Sequence, residues 1–222
     1  LMDDAGGRGA RAPGLQSLAS REIGDSTAVA TLAFIETLRP CDLEIVLFGA
    51  GHVGRALVKA LADVDCRVIW VDYRAEEFPA VVPANTRVVV TDAPEREVDR
   101  ASAGAYFLVM THSHPLDFEL CERALRRGDF AYLGLIGSAS KRARFLKNLK
   151  LEGVPEAALA RLTCPIGVPG IASKRPVAIA LSAAAQILQV YESNVHEASI
   201  DARRRVSEQV TGVGIRRRAK RG

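Results

Sequence analysis

The feature that most constrains this chain is a glycine turn between a strand-like run and a helix-like run, Gly49-Ala50-Gly51-His52-Val53-Gly54. Before it, Glu44-Ile45-Val46-Leu47-Phe48 is a short, nearly continuous apolar run, the pattern of a strand covered on both faces. After it, Val53, Leu57, Val58 and Leu61 recur at helical spacing, which predicts a helix over 53–64. A second buried strand, 66–71, ends at Asp72. Strand, G-x-G-x-x-G, helix, strand and acid, with the acid about twenty residues on, is the dinucleotide fingerprint in its full context. Gly49 permits the tight turn. Gly51 lets backbone N–H groups approach a pyrophosphate, and Gly54 lets the helix lie close to the strand. Asp72 is placed to accept hydrogen bonds from ribose hydroxyls. Other phosphorylated ligands suit the same junction.

The alternation continues to the end of the body. Strands are predicted at 87–90, 106–110, 132–136 and 162–166. Helices are predicted at 94–102, 115–127, 138–149, 155–161 and, Ala-rich, 173–191. Short apolar strands alternating with helices imply βαβ units. The expected fold class is α/β: a doubly wound, mostly parallel, Rossmann-like sheet with helices on both faces. Three segments are expected. Residues 1–40 form a poorly ordered lead-in with helical potential over Thr27–Leu38, 41–195 form the Rossmann-like domain, and 196–222 form a basic, disordered tail.

Charge distribution limits the function classes. The net charge is +4, yet the end of the chain from Arg203 carries eight basic residues against Glu208 alone, so residues 1–202 are mildly acidic. The body holds no nucleic-acid-binding motif, and the basic end reads as a solvated terminus. No apolar run approaches the ~20 residues of a membrane span, and no charged-then-apolar leader opens the chain. The expected location is the cytoplasm. Cys41, Cys66, Cys121 and Cys164 are scattered without a C-x-x-C pair, and read as buried thiols of a reducing compartment. Their spacing selects none of them as a metal or sulfur ligand.

Two further patterns fall where strands end. After the fifth strand comes Gly137-Ser138-Ala139-Ser140-Lys141-Arg142, and after the sixth Gly170-Ile171-Ala172-Ser173-Lys174-Arg175-Pro176. Each reads as glycine, serine cap and a basic pair in the first helical turn. Cations there oppose the helix dipole at a cost of roughly 0.3–1 kcal/mol each. Two such junctions on one sheet edge, with His52 and Arg55 nearby, point to a polyanionic guest such as a pyrophosphate or a pterin phosphate. After the fourth strand, Thr111-His112-Ser113-His114-Pro115-Leu116-Asp117 places two imidazoles on the same edge. A metal site needs more ligands than this segment supplies, so His112 and His114 read as donors lining a cleft.

These residues resemble the XdhC/CoxI family. The resemblance rests on Leu47 through Leu57, on Thr111-His112-Ser113-His114 with Asp117, on Tyr132 through Ser138 with Lys141-Arg142, and on Cys164-Pro165-Ile166-Gly167-Val168-Pro169-Gly170-Ile171. It covers roughly residues 38–192. It implies a maturation factor, chaperone-like rather than catalytic. Such a protein binds molybdenum cofactor (molybdopterin) and delivers it in sulfurated form to apo xanthine dehydrogenase. It also implies association with a cysteine desulfurase and with a second copy of the chain as a homodimer. Carried over by position, the ligand-facing residues are Gly49, Gly51, His52, Gly54, Asp72, His112, His114, Ser138, Lys141, Arg142 and Lys174. Members of this family usually carry a further N-terminal domain whose motifs do not occur in 1–40, so that segment reads as the remnant of a missing domain. Lys174-Arg175-Pro176 matches the family only loosely. The alternatives from the glycine turn alone are an NAD(P)-dependent oxidoreductase, with His112 or His114 as acid, and a nucleotide-sensing module.

Overall fold

A computed structural model describes residues 42–218. The expected lead-in, including the helix over Thr27–Leu38, and Cys41 lie outside the described residues. In chain order the elements are β1 (Glu44–Phe48), α1 (His52–Ala60), β2 (Arg67–Asp72), β3 (Thr86–Val90), α2 (Glu95–Arg100), β4 (Tyr106–Val109), α3 (His114–Arg127), β5 (Tyr132–Leu135), α4 (Ala139–Leu151), α5 (Glu156–Leu159), β6 (Leu162–Thr163) and α6 (Pro176–Arg218). A short 3₁₀ turn, Ala75–Glu77, follows β2.

The six strands form one sheet in the order β3-β2-β1-β4-β5-β6, every neighbouring pair parallel. This is the doubly wound order of dinucleotide-binding domains, with the topological switch point between β1 and β4. Alternate residues of each strand feed two separate cores. Val46, Phe48, Phe107, Val109, Leu133 and Leu135 pack under α2–α5. Ile45, Leu47, Tyr106, Leu108 and Tyr132 face Leu57, Val58 and Leu61 of α1 and Ala180, Ala183 and Ile187 of α6. Small residues on α6 let it lie close to α1 and the sheet.

Element ends follow local chemistry. Ser113 and Ser138 cap α3 and α4, their hydroxyls accepting from the N–H groups of Leu116 (3.4 Å) and Lys141 (3.2 Å). Gly128 closes α3 in the left-handed region at φ 77°. β6 is shorter than the predicted 162–166 because Pro165 has no N–H to offer a ladder, although Ile166 N–H still reaches Leu135 O at 3.1 Å. α6 departs from expectation at both ends. It begins at Pro176 rather than Ser173, because the fixed φ of proline suits the first helical position while disfavouring α geometry for Arg175. It then continues to Arg218, so residues 196–218, expected as a disordered tail, are helical. No proline interrupts this stretch, and Ala, Glu, Gln and Arg supply strong helix formers. Residues 192–204 of it are solvent-exposed. No helix among the described residues is long and apolar enough to cross a membrane.

Candidate functional site at the carboxyl rim

In a parallel sheet every strand ends on the same edge. The glycine turn after β1, Asp72 to Arg74 after β2, Thr111 to His114 after β4, and Gly137-Ser138 after β5 therefore share one rim. The turn itself is tightly held. Gly49 donates its N–H to Val71 O (2.8 Å) and accepts from Trp70 Nε1 (3.0 Å). Its φ is +116°, and a Cβ there would lie 2.3 Å from Met110 O. A Cβ on Gly54 would lie 2.1 Å from Gly49 O, whereas one on Gly51 meets nothing within 4 Å. Gly49 and Gly54 are thus required by packing, and Gly51 leaves open space as a ligand-approach glycine should.

Asp72 is buried and fully engaged. Its Oδ2 accepts from Ala50 N–H (2.7 Å) and Arg74 Nη2 (2.8 Å), and its Oδ1 from Arg74 N–H (3.0 Å) and Arg74 Nε (3.0 Å). Burial alone would raise its pKa. The hydrogen bonds from the Arg74 side chain and from the Ala50 and Arg74 N–H groups, with the Arg74 charge, outweigh burial and hold it below the usual 3.8. Arg74 also meets Glu77 (3.2 Å), which in turn binds Arg55 (2.8 Å). Arg55 is therefore paired rather than free for a guest.

His112 and His114 come together around a cavity of about 560 Å³, lined also by Thr111, Ile136, Gly137, Ser138, Ser140, Lys141 and Arg144. His112 Nε2 lies 3.2 Å from Tyr73 Oη. Arg144 Nη2 donates to His114 Nδ1 at 3.4 Å. A guanidinium cannot accept a hydrogen bond, so the neutral His114 ring carries its proton on Nε2. Ser138 stands on this rim as expected.

The basic residues predicted to gather on a guest divide instead. Lys141 does line the cavity, but its ammonium donates to buried Asp117 Oδ2 (2.6 Å) and to Ile136 O (2.9 Å). Asp117 Oδ1 accepts from Thr111 N–H (3.1 Å) and Oγ1 (2.7 Å). The carboxylate that could have completed a His-x-His metal set thus fastens the β4 loop to α4. Among the described residues no group of three or more His, Cys, Asp or Glu could hold a metal ion. Arg142 lies in a separate groove with Leu146, Lys147, Lys150, Glu156, Leu159 and Ala160. Lys174 sits on the exposed loop before α6, and neither it nor His52 lines the 560 Å³ cavity. Helical geometry explains the split: residues 140, 141 and 144 share one face of α4, whereas 142 is turned about 160° from 144. The residue that sequence reasoning missed is Arg144, and its three-residue spacing from Lys141 is the signal that finds it. Cys66, Cys121 and Cys164 are buried, in line with the reading of buried thiols. Burial raises the pKa of both Cys121 and Cys164.

Fold and rim together define a Rossmann-type domain with a cavity on the carboxyl side of β4 and β5. Residues 45–187 match the model of the XdhC Rossmann domain, and the chain belongs to that family. It is 30% identical over 164 residues to the uncharacterized protein YqeB of Escherichia coli (strain K12), covering 73% of this chain and 29% of that protein. The chain thus spans about three-tenths of the length of that curated relative. Among solved structures, a crystal structure described as a xanthine dehydrogenase from Bacillus halodurans superposes with TM-score 0.57 at 24% identity, covering 68% of this chain and 43% of that one, and shares the fold.

Proposed function

We propose that this chain is an accessory protein that binds molybdenum cofactor as cargo and hands it, in sulfurated form, to apo xanthine dehydrogenase, rather than a catalyst in its own right. The observation that carries the reading is the coincidence of the XdhC family match with the donor-lined rim cavity. The cargo is a pterin bearing a phosphate, with the metal held on dithiolene sulfurs. A cavity of about 560 Å³ suits a ligand of that class. Arg144, the imidazoles of His112 and His114 and the hydroxyls of Ser138 and Ser140 supply the charge and hydrogen bonds such a guest needs. The partners that go with this reading are xanthine dehydrogenase, a cysteine desulfurase and a second copy of the chain, at work in the cytoplasm.

The test is co-expression with a molybdopterin-producing host, followed by release of the bound ligand and mass spectrometry. A pterin should co-purify, and the loaded protein should restore activity to apo xanthine dehydrogenase. A preparation that carries no pterin and restores nothing overturns the proposal.

A further inference from the structure

Two openings lie side by side on the rim, and only one of them has room. Above the glycine turn, the crevice lined by Phe48, Gly49, Asp72, Tyr73, Thr111 and His112 among others holds about 10 Å³. That is space for roughly one water molecule. The adjacent cavity over β4 and β5 holds about 560 Å³. In a dinucleotide-binding domain of this strand order, the acid after β2 receives the ribose hydroxyls. Here that acid has nothing left to offer. A carboxylate has about four acceptor positions, and Ala50 and Arg74 occupy all four at 2.7–3.0 Å. A ribose diol would have to break a two-pronged guanidinium pair whose carboxylate side chain is 4% exposed.

On the other side of the rim the cations are not equivalent. The Lys141 charge is spent on Asp117, and Arg142 faces another groove. Arg144 meets no carboxylate in the described ion pairs, and its one described hydrogen-bond contact is with the imidazole Nδ1 of His114. That contact leaves Nε2 as the remaining ring nitrogen of His114, and Ser140 and His112 line the same cavity.

We infer that the rim takes a compact ligand by a single oxyanion seated between His112, His114 and Arg144, and that the crevice above the glycine turn is closed to the adenosine half of a dinucleotide. The inference goes beyond the identity of the cargo: it specifies where a phosphate or similar group docks and which ligand class is refused. Arg144 becomes the specificity-determining cation, and Asp72 with Arg74 the bolt on the neighbouring crevice.

The experiment uses the full chain with two probes, inorganic phosphate and NADH. Thermal melts over a phosphate series give the apparent affinity of the seat, and fluorescence titration reports NADH. Phosphate should raise the melting temperature saturably. Arg144→Gln and His114→Gln should each weaken that affinity, about tenfold for the arginine, while Arg142→Gln leaves it unchanged. All three side chains lie at the surface, so far-UV circular dichroism should match the wild type. NADH should show no saturable binding up to millimolar concentration. Saturable NADH binding, or equal loss of phosphate affinity in Arg142→Gln and Arg144→Gln, overturns the inference. Loss of pterin carriage without these changes bears on the proposed function alone.

Discussion

Lys141 provides the sharpest division between a ligand-binding and a structural role, and a double-mutant cycle with Asp117 measures it. The Asp117 side chain is 0% exposed and that of Lys141 11%, and their 2.6 Å contact is the most buried ion pair described. Asp117→Asn keeps the Oδ1 acceptor for Thr111 but turns an amide donor toward the Lys141 ammonium. Lys141→Met keeps an apolar stem beside the Phe145 ring, 5.3 Å from the ammonium in the parent, but leaves the carboxylate with only the Thr111 donors. Removing one member of such a pair costs roughly 3–5 kcal/mol, because a buried charge is left uncompensated. At about 2–4 °C per kcal/mol for a domain of this size, each single variant should melt roughly 6–20 °C below the parent. The double variant removes both charges and should cost less than the sum by more than ~1 kcal/mol. Urea unfolding of the four proteins at neutral pH supplies the numbers. Single costs under ~1 kcal/mol that add within ~0.5 kcal/mol would refute the reasoning and return Lys141 to the role of a free anion ligand.

The Asp72 bolt predicts a pH dependence. Its folded pKa is depressed, so its stabilisation is full above the ordinary value of 3.8 and is lost as pH falls through the lower folded value; melting temperature against pH should lose part of its acid limb in Asp72→Asn. At the glycine turn, Gly54→Ala should destabilise by several kcal/mol or block folding, because its Cβ would sit 2.1 Å from a carbonyl oxygen, whereas Gly51→Ala should cost less than ~1 kcal/mol. Equal melting temperatures for those two variants would contradict the packing argument. Cys121 and Cys164, buried and with raised pKa values, should resist alkylation at pH 7 until the chain unfolds, as peptide mapping by mass spectrometry would record.

The fold was legible because the central strands β1, β2, β4 and β5 are buried on both faces and the first turn carries its own punctuation. Gly49 to Gly54 marked the first crossover, and Ser138 marked a helix start that the structure caps as expected, while the Ser113 cap emerges only from the structure. The long reach of α6 was not legible, because a solvent-exposed polar helix and a disordered basic tail share the same composition. The candidate site was legible by position but not by partnership. Sequence places His112, His114, Ser138 and Lys141 on one edge, and the structure keeps them there. It cannot show that Asp117, three residues beyond His114, reaches 24 positions ahead to claim Lys141, nor that Arg74 closes over Asp72 from two residues away. Both pairings are side-chain choices made among several nearby carboxylates and cations, and only the packed backbone decides between them.

The two ion pairs act on the rim in opposite ways, and that contrast determines what the edge can bind. Asp72 with Arg74 lies directly on the crevice where a dinucleotide fold receives its ribose, and by satisfying itself it removes the one acceptor that such a ligand requires. Asp117 with Lys141 lies beneath the neighbouring cavity and ties the loop after β4 to the start of α4. It thereby fixes the spacing between the two walls that carry His112 and His114 on one side and Ser140 and Arg144 on the other. A buried pair contributes little net stability over an apolar substitute but strongly resists displacement of either member. The cavity mouth is therefore held at a set width before any guest arrives, so less of the binding free energy goes into ordering loops. Widening it by releasing Asp117 should weaken phosphate binding even though neither Asp117 nor its partner needs to touch the phosphate. Asp117→Asn, titrated with phosphate below its melting range, should therefore bind more weakly than the parent while remaining folded. Unchanged affinity in that variant would mean that the rim is held open by something other than this pair.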